Sequence, residues 1–202
     1  MLLQWHGHSC FSVFSKEGIA VFDPYEDGSV PGLPPLRLTA DAVFCSHGHH
    51  DHNAISVVSL SGHRPTFVTE EISSYHDDRH GTLRGKNILR LLNAEGLKIV
   101  HLGDIGCHPG KHQMPALAGA DALLIPVGGY YTIDGHTAAS LVKELHPRVV
   151  IPMHYRTETS GYDVLSSAEP FLSEFDNVRL YNGSSFELSA DTEPQVAVLS
   201  QP

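Results

Sequence analysis

The chain has 202 residues, 41% of them hydrophobic and 18% charged, with a formal net charge of -10. This is the composition of one globular domain, residues 1–202, with enough chain to bury a full core. The acidic balance argues against an extended nucleic-acid surface, which needs clustered Lys and Arg, and no segment has the apolar length of a membrane-spanning helix.

Strands are expected from Gln4 to Phe14 and from Ile19 to Phe22, joined by a hairpin through Ser15-Lys16-Glu17-Gly18. The second ends at Asp23-Pro24, where proline stops the strand and leaves Asp23 at its mouth. Glu26 to Leu38, rich in proline and glycine, reads as a surface loop. A strand from Ala42 to Cys45 leads into His47-Gly48-His49-His50-Asp51-His52, and a further strand is expected over Pro65 to Val68. Thr69 to Asn87 is polar and reads as a loop carrying His76, His80, Arg84 and Lys86. Runs from Ile88 to Leu92 and Leu97 to Leu102 are β-type, and the second ends at Gly103-Asp104. A short helix over Ala116 to Ala120 and a strand over Ala122 to Val127 follow. The strongest helix signal is Gly135 to Leu145, with Ala138, Leu141, Val142 and Leu145 on one face. Asp134 or Thr132 is placed to cap it, and Pro147 lies just past its end. Val149 to Ile151 is a strand that delivers His154. A helix over Ser166 to Phe175 and strands over Val178 to Leu188 and Val196 to Leu199 close the chain. β-rich first and then alternating β and α, the order implies an α/β fold with its polar residues at strand ends.

Four His and one Asp within six residues have no structural purpose, since each buried ring needs a polar partner. The H-x-H-x-D-H spacing puts His47 and His49 on one side, toward one ion, and lets Asp51 and His52 turn to a second point. Nitrogen and carboxylate donors of this kind suit zinc. Asp104, at a glycine turn after a buried strand, is placed to bridge two cations with its two oxygens. His154 ends another apolar strand. One more His is needed between the cluster and Asp104, from among His63, His76, His80 and His101. Alternation points His101 away from Asp104, and His76, first after a strand, is favoured over His80.

The residues resemble those of a known family. H-x-H-x-D-H, a later His, a Gly-Asp after a strand and a strand-borne final His are similar to the metal-binding set of the metallo-β-lactamase superfamily. Gly7-His8-Ser9-Cys10-Phe11, Val21-Phe22-Asp23-Pro24, Ser73-Ser74-Tyr75-His76-Asp77-Asp78, His101-Leu102-Gly103-Asp104, Pro126-Val127-Gly128-Gly129 and Pro152-Met153-His154-Tyr155 resemble its branch of Zn-dependent hydrolases. That branch includes relatives of the ascorbate-6-phosphate lactonase. The resemblance runs from about Gln4 to Arg156. It implies a four-layer αβ/βα sandwich, two mixed sheets flanked by helices, with two metal ions at one edge. His47, His49 and His76 would hold the first ion, Asp51, His52 and His154 the second, and Asp104 would lie between them. Asp23 would steady the His loop from behind, and His8 would stand near the site.

The expected activity is metal-dependent hydrolysis of a small ester, lactone or phosphate ester by a metal-activated hydroxide. Asp51 and Asp104 are the catalytic carboxylates, and Asp51 is able to accept a proton or orient water. Two divalent ions are implied: zinc first, with manganese, iron or nickel as alternatives. Arg84 or Arg156 is expected to bind a phosphate or carboxylate of the substrate, on an otherwise acidic chain. Two rival readings remain: a phosphodiesterase or nuclease, disfavoured by the acidic balance, and a di-metal redox protein, for which no flavin domain is encoded. With no visible leader and three widely spaced cysteines, the expected compartment is the reducing cytoplasm. No membrane is expected as a partner, and assembly of several copies is compatible with the sequence. Cys10 and Cys45 read as core residues, whereas Cys107 lies near a ligand without an assigned role.

Overall fold

A computed structural model describes residues 1–201 of the protein. β1 (Leu2–Trp5), β2 (Phe11–Ser15) and β3 (Gly18–Phe22) form an antiparallel meander. β4 (Leu38–Ala40) precedes β5 (Ala42–Phe44), which lies parallel to β3. One turn of 3-10 helix leads to β6 (Val58–Leu60), which pairs with β4. Then come β7 (Val68–Tyr75), β8 (Lys86–Ala94), β9 (Leu97–His101), α1 (Met114–Leu117), β10 (Ala122–Pro126), α2 (Gly135–Leu145), β11 (Val149–Met153) and α3 (Glu169–Leu172). β12 (Val178–Leu180), β13 (Ser185–Glu187) and β14 (Gln195–Val198) complete the chain.

The strands make a five-stranded sheet ordered β13-β1-β2-β3-β5 and a seven-stranded sheet ordered β12-β14-β11-β10-β9-β8-β7, with β4 and β6 as a separate pair. Both large sheets mix parallel and antiparallel neighbours. One continuous apolar core joins them, from Leu3, Trp5, Phe11 and Phe22 on the first sheet to Leu89, Ile99 and Leu124 on the second. Each such side chain contributes about 1.5–3 kcal/mol on full burial. β10 and β11 are buried at every position, as parallel strands covered on both faces must be. The cover includes α2, whose Ala138, Leu141, Val142 and Leu145 belong to the same core. Pro152 is tolerated inside β11 because β14 pairs only with Val149 and Val150.

The outer face of the first sheet is covered differently. Val21 of β3 packs with Cys10, Tyr25, Val30, Leu36, Ala40 and Val58. A proline-rich loop and the β4–β6 pair therefore do the work that a helix does on the other side of the sandwich.

Several expected elements are corrected. The run from Gln4 to Phe14 is two strands, bent back at Gly7 and His8, whose φ values are +98° and +51°. Its apolar alternation continues on either side of the bend, so periodicity alone hides it. The expected strand at Pro65–Val68 instead begins at Val68 and runs to Tyr75; this edge strand is mostly exposed, which is why its sequence reads as a polar loop. Val178 to Leu188 is split between the two sheets, β12 in one and β13 in the other. The helix expected over Ser166 to Phe175 is helical only at Glu169–Leu172. The α2 bounds match, with the Asp134 side chain accepting from Thr137 N at 2.8 Å.

Candidate metal centre

β3, β5, β9, β10 and β11 all point their C-terminal ends at one edge of the sandwich. The residues that follow them there are Asp23, Ser46 to His52, Asp104, Gly128-Gly129 and His154. The end of β7 adds His76, and the β1–β2 bend adds His8.

Three of these residues are non-glycines in the left-handed region: His8 at φ +51°, Asp23 at +45° and His154 at +53°. Such backbone costs about 1–3 kcal/mol per residue and persists only where its surroundings fix it. Here His8 O accepts from both Trp5 Nε1 at 2.9 Å and His154 N at 3.2 Å. Asp23 N donates to Phe44 O at 2.9 Å.

Asp104 Oδ2 lies 3.0 Å from His154 Nε2, 3.2 Å from His52 Nε2, 3.3 Å from His76 Nε2 and 4.0 Å from His47 Nε2. Asp51 Oδ2 lies 3.2 Å from His8 Nε2, 3.7 Å from His52 Nε2 and 3.2 Å from the Tyr162 hydroxyl. His47, His49 and His76 each offer a ligand atom within 4.8 Å of the others, as do His8, Asp51, His52 and His154. The two groups flank Asp104. A cavity of about 340 Å³ opens over them, lined by His49, Asp51, His76, Asp104 and His154, with Leu83, Arg84, Tyr131 and Tyr162 on its walls.

The hydrogen bonds behind the rings fix which nitrogen faces Asp104. Ser46 Oγ donates to Asp23 Oδ2 at 2.6 Å, so its lone pair accepts from His47 Nδ1 at 2.9 Å. His52 Nδ1 donates to Asp23 Oδ2 at 2.9 Å, and His76 Nδ1 donates to Tyr131 O at 3.1 Å. With Nδ1 carrying the proton, Nε2 of each ring presents a lone pair to the centre. His47 Nε2, His52 Nε2 and Asp104 Oδ1 are buried without any hydrogen-bond partner. Buried polar atoms are normally paired, and a cation is what this donor set lacks. The residues present therefore fit divalent ions.

The electrostatics agree. Burial, with His52 nearby, pushes His47 down to about 3; burial and His154 push His8 down to about 4. Burial works against ionisation of Asp104, but His154 and His52 outweigh it and hold the carboxyl well below its ordinary value. At His52 burial is again outweighed, this time by Asp104 and Asp23, which raise it. The point between those carboxylates stabilises positive charge, whichever cation carries it.

The remaining candidates lie elsewhere. His80 packs edge-on against Tyr75, His63 pairs with Asp41, and His101 is buried against Phe22 with Nε2 donating to Ser9 O. Arg84 lines the cavity, but Arg156 is exposed on a separate depression beside Glu158 and Ser167. Cys107 lines a neighbouring depression beyond Arg84 and Tyr131.

Sequence reasoning missed Tyr162 and Asn87. Tyr162 sits in an irregular segment with no flanking strand to mark it. Asn87 accepts from Asp104 N at 3.0 Å and donates to Leu102 O at 2.9 Å, fixing the turn that carries Asp104. A buried asparagine within an apolar strand was the available signal.

The Beta-lactamase superfamily domain profile matches residues 2–154. The chain is 30% identical over 185 residues to a metal-dependent hydrolase of Thermoplasma acidophilum, covering 76% of this chain and 82% of that one. It is similar in structure to a Thermotoga maritima protein proposed to be a Zn-dependent hydrolase of the metallo-β-lactamase superfamily. That similarity has TM-score 0.79 and 30% identity, over 100% of this chain and 99% of the other. An isothiocyanate hydrolase from Delia radicum gut bacteria shares the fold, at TM-score 0.69 and 13% identity over 94% of this chain and 100% of that one.

Proposed function

The chain belongs to the β-lactamase superfamily and is a metal-dependent hydrolase, and from that premise we propose that it cleaves a small ester, lactone or phosphate ester at a two-ion centre. His47, His49 and His76 would hold one ion and Asp51, His52 and His154 the other, with Asp104 next to residues of both groups. Zinc suits these donors. The observation that carries this reading is the set of unpartnered buried atoms, His47 Nε2, His52 Nε2 and Asp104 Oδ1, on three side chains that meet at Asp104. In this reading residues 1–202 act as one domain.

Divalent ions bound there supply a water of lowered pKa and polarise the oxygen of the bond under attack. The chain's own groups do the rest. Burial opposes ionisation of Asp51, but the His8 hydrogen bond and the nearby His52 overcome it and hold the carboxyl below its ordinary range. Asp51 is thus an ionised acceptor, able to orient a water and take its proton. Burial and the neighbouring Asp51 push the Tyr162 phenol up, so it stays protonated and keeps a donor at the cavity wall. Leu83 and Tyr131 give that wall apolar surface, which limits water around the reacting groups. A cavity of about 340 Å³ whose lining includes a single Lys or Arg suits a small molecule better than a polynucleotide.

The test is metal content per chain by mass spectrometry beside turnover of an aryl ester, a lactone and a phosphodiester. Close to two ions are expected in the parent, fewer in Asp104→Asn and His76→Ala, with turnover lost in chelator and regained with metal. A reconstituted protein that binds no metal, or turnover that survives Asp104→Asn unchanged, overturns the proposal.

A further inference from the structure

The segment after His76 is tied by one carboxylate. Asp77 is buried, and its Oδ1 accepts from Arg79 N at 2.8 Å and Gly81 N at 2.9 Å. Its Oδ2 accepts from Leu83 N at 3.0 Å and Arg84 N at 2.8 Å. Gly85 O closes the loop by accepting from His76 N at 3.1 Å. Four backbone donors on one side chain fix a segment that has no regular structure of its own, and with it the point from which Arg84 leaves the backbone.

Arg84 is the one Lys or Arg among the described residues lining the catalytic cavity. Its guanidinium lies 5.5 Å from the Tyr131 ring centre and 6.0 Å from that of Tyr130. Among the described residues no carboxylate lies within ion-pair distance of it, although the chain has 23 Asp and Glu. A cation–aromatic contact of this kind steadies a guanidinium while leaving its N–H fork free for a carboxylate or phosphate.

We propose that Arg84 is the anion receptor of this cavity, selecting substrates that carry a carboxylate or phosphate on the arm that is not cleaved, with Asp77 as its positioning residue. The inference rests on the two-ion hydrolase reading for its choice of substrate. Two divalent cations held by this donor set would make the cavity floor positive as well, which would attract an anionic substrate as a whole. Leu83, on the same tied loop, packs against the uncharged part of such a molecule.

Three aryl acetates that differ only at the para position test this: 4-acetoxybenzoate, 4-acetoxyphenylphosphonate and the neutral 4-acetoxybenzamide. The readout is the kcat/KM of each anion relative to the amide. The parent is expected to prefer at least one anion, and which one identifies the group recognised. Arg84→Gln should lower that ratio by about tenfold or more, and Arg84→Lys should restore part of it. Asp77→Asn should lower the ratio too, chiefly through KM, and should add little to Arg84→Gln in the double variant. A ratio unmoved by Arg84→Gln, or a parent that prefers the amide, overturns the receptor. Full additivity, or Asp77→Asn slowing all three esters equally, overturns the positioning role. Calorimetric binding of 4-hydroxybenzoate and 4-hydroxybenzamide to parent and Arg84→Gln is read alongside. Absence of ester turnover then counts against the hydrolase reading, while the binding preference still decides Arg84.

Discussion

Asp23→Asn probes the support behind the metal centre. The parent carboxylate accepts three hydrogen bonds: Ser46 N on Oδ1, and Ser46 Oγ with His52 Nδ1 on Oδ2. An amide has one oxygen. With that oxygen facing His52, the NH2 group opposes Ser46 N–H, and a buried donor loses its partner at a cost of about 1–3 kcal/mol. With the amide reversed, His52 must accept through Nδ1, its proton moves to Nε2, and that atom no longer serves as a ligand. The first arrangement is the less costly, so the variant should fold with its melting temperature lowered by about 2–4 °C per kcal/mol for a chain of this size. Removing the negative charge behind His52 also weakens the ring as a donor, by about 10- to 100-fold in metal affinity for an outer partner of this kind. The assay is competition with a chromophoric chelator, set beside thermal melts in excess chelator. A lowered melting temperature with unchanged metal affinity would refute the argument, because Asp23 would then serve folding alone.

Stripping the metal from the parent should lower its melting temperature, since a ligand at a hundred times its Kd stabilises by about 2.7 kcal/mol; equal melts with and without chelator would show that the buried donors need no cation. Gly103→Ala should destabilise by about 2–5 kcal/mol, from left-handed backbone and overpacking together. The cause is its φ of +52°, with an added Cβ 2.4 Å from Ser46 Cβ, and urea unfolding reads the loss. Asp134→Ala should cost about 0.5–2 kcal/mol at neutral pH as a lost helix cap. The Thr137 N–H holds the Asp134 carboxyl below its ordinary value, so the cap's contribution is complete above about pH 4 and fades as pH falls through the lowered folded value. The gap in melting temperature between parent and variant should therefore close on acidification, and a gap independent of pH between 7 and 3 would speak against the capping bond.

The chain's own order of residues determined a good deal. His47, His49, Asp51 and His52 stand at fixed spacing beyond a strand, and no packing choice changes that they leave it together. Asp104 and His154 are legible for the same reason, each ending an apolar run, and α2 is legible because cap, periodicity and breaker agree. Tertiary structure decided the rest. Among His63, His76, His80 and His101 sequence favoured His76 without fixing it, and the pairing of β7 with β8, with His76 hydrogen-bonded to Tyr131, brings His76 to Asp104 while leaving His80 on the surface. His8 reaches Asp51 because β1 and β2 fold back on each other, and Tyr162 reaches the same carboxylate from 111 residues away. Arg84 and Arg156 look alike in sequence, each following a candidate metal-binding His, yet one lines the cavity and the other does not. The physical reason is range. Hydrophobic period and turn chemistry act over a few residues and fix where a side chain leaves its strand, whereas the partner it meets is set by how two sheets close over a shared core.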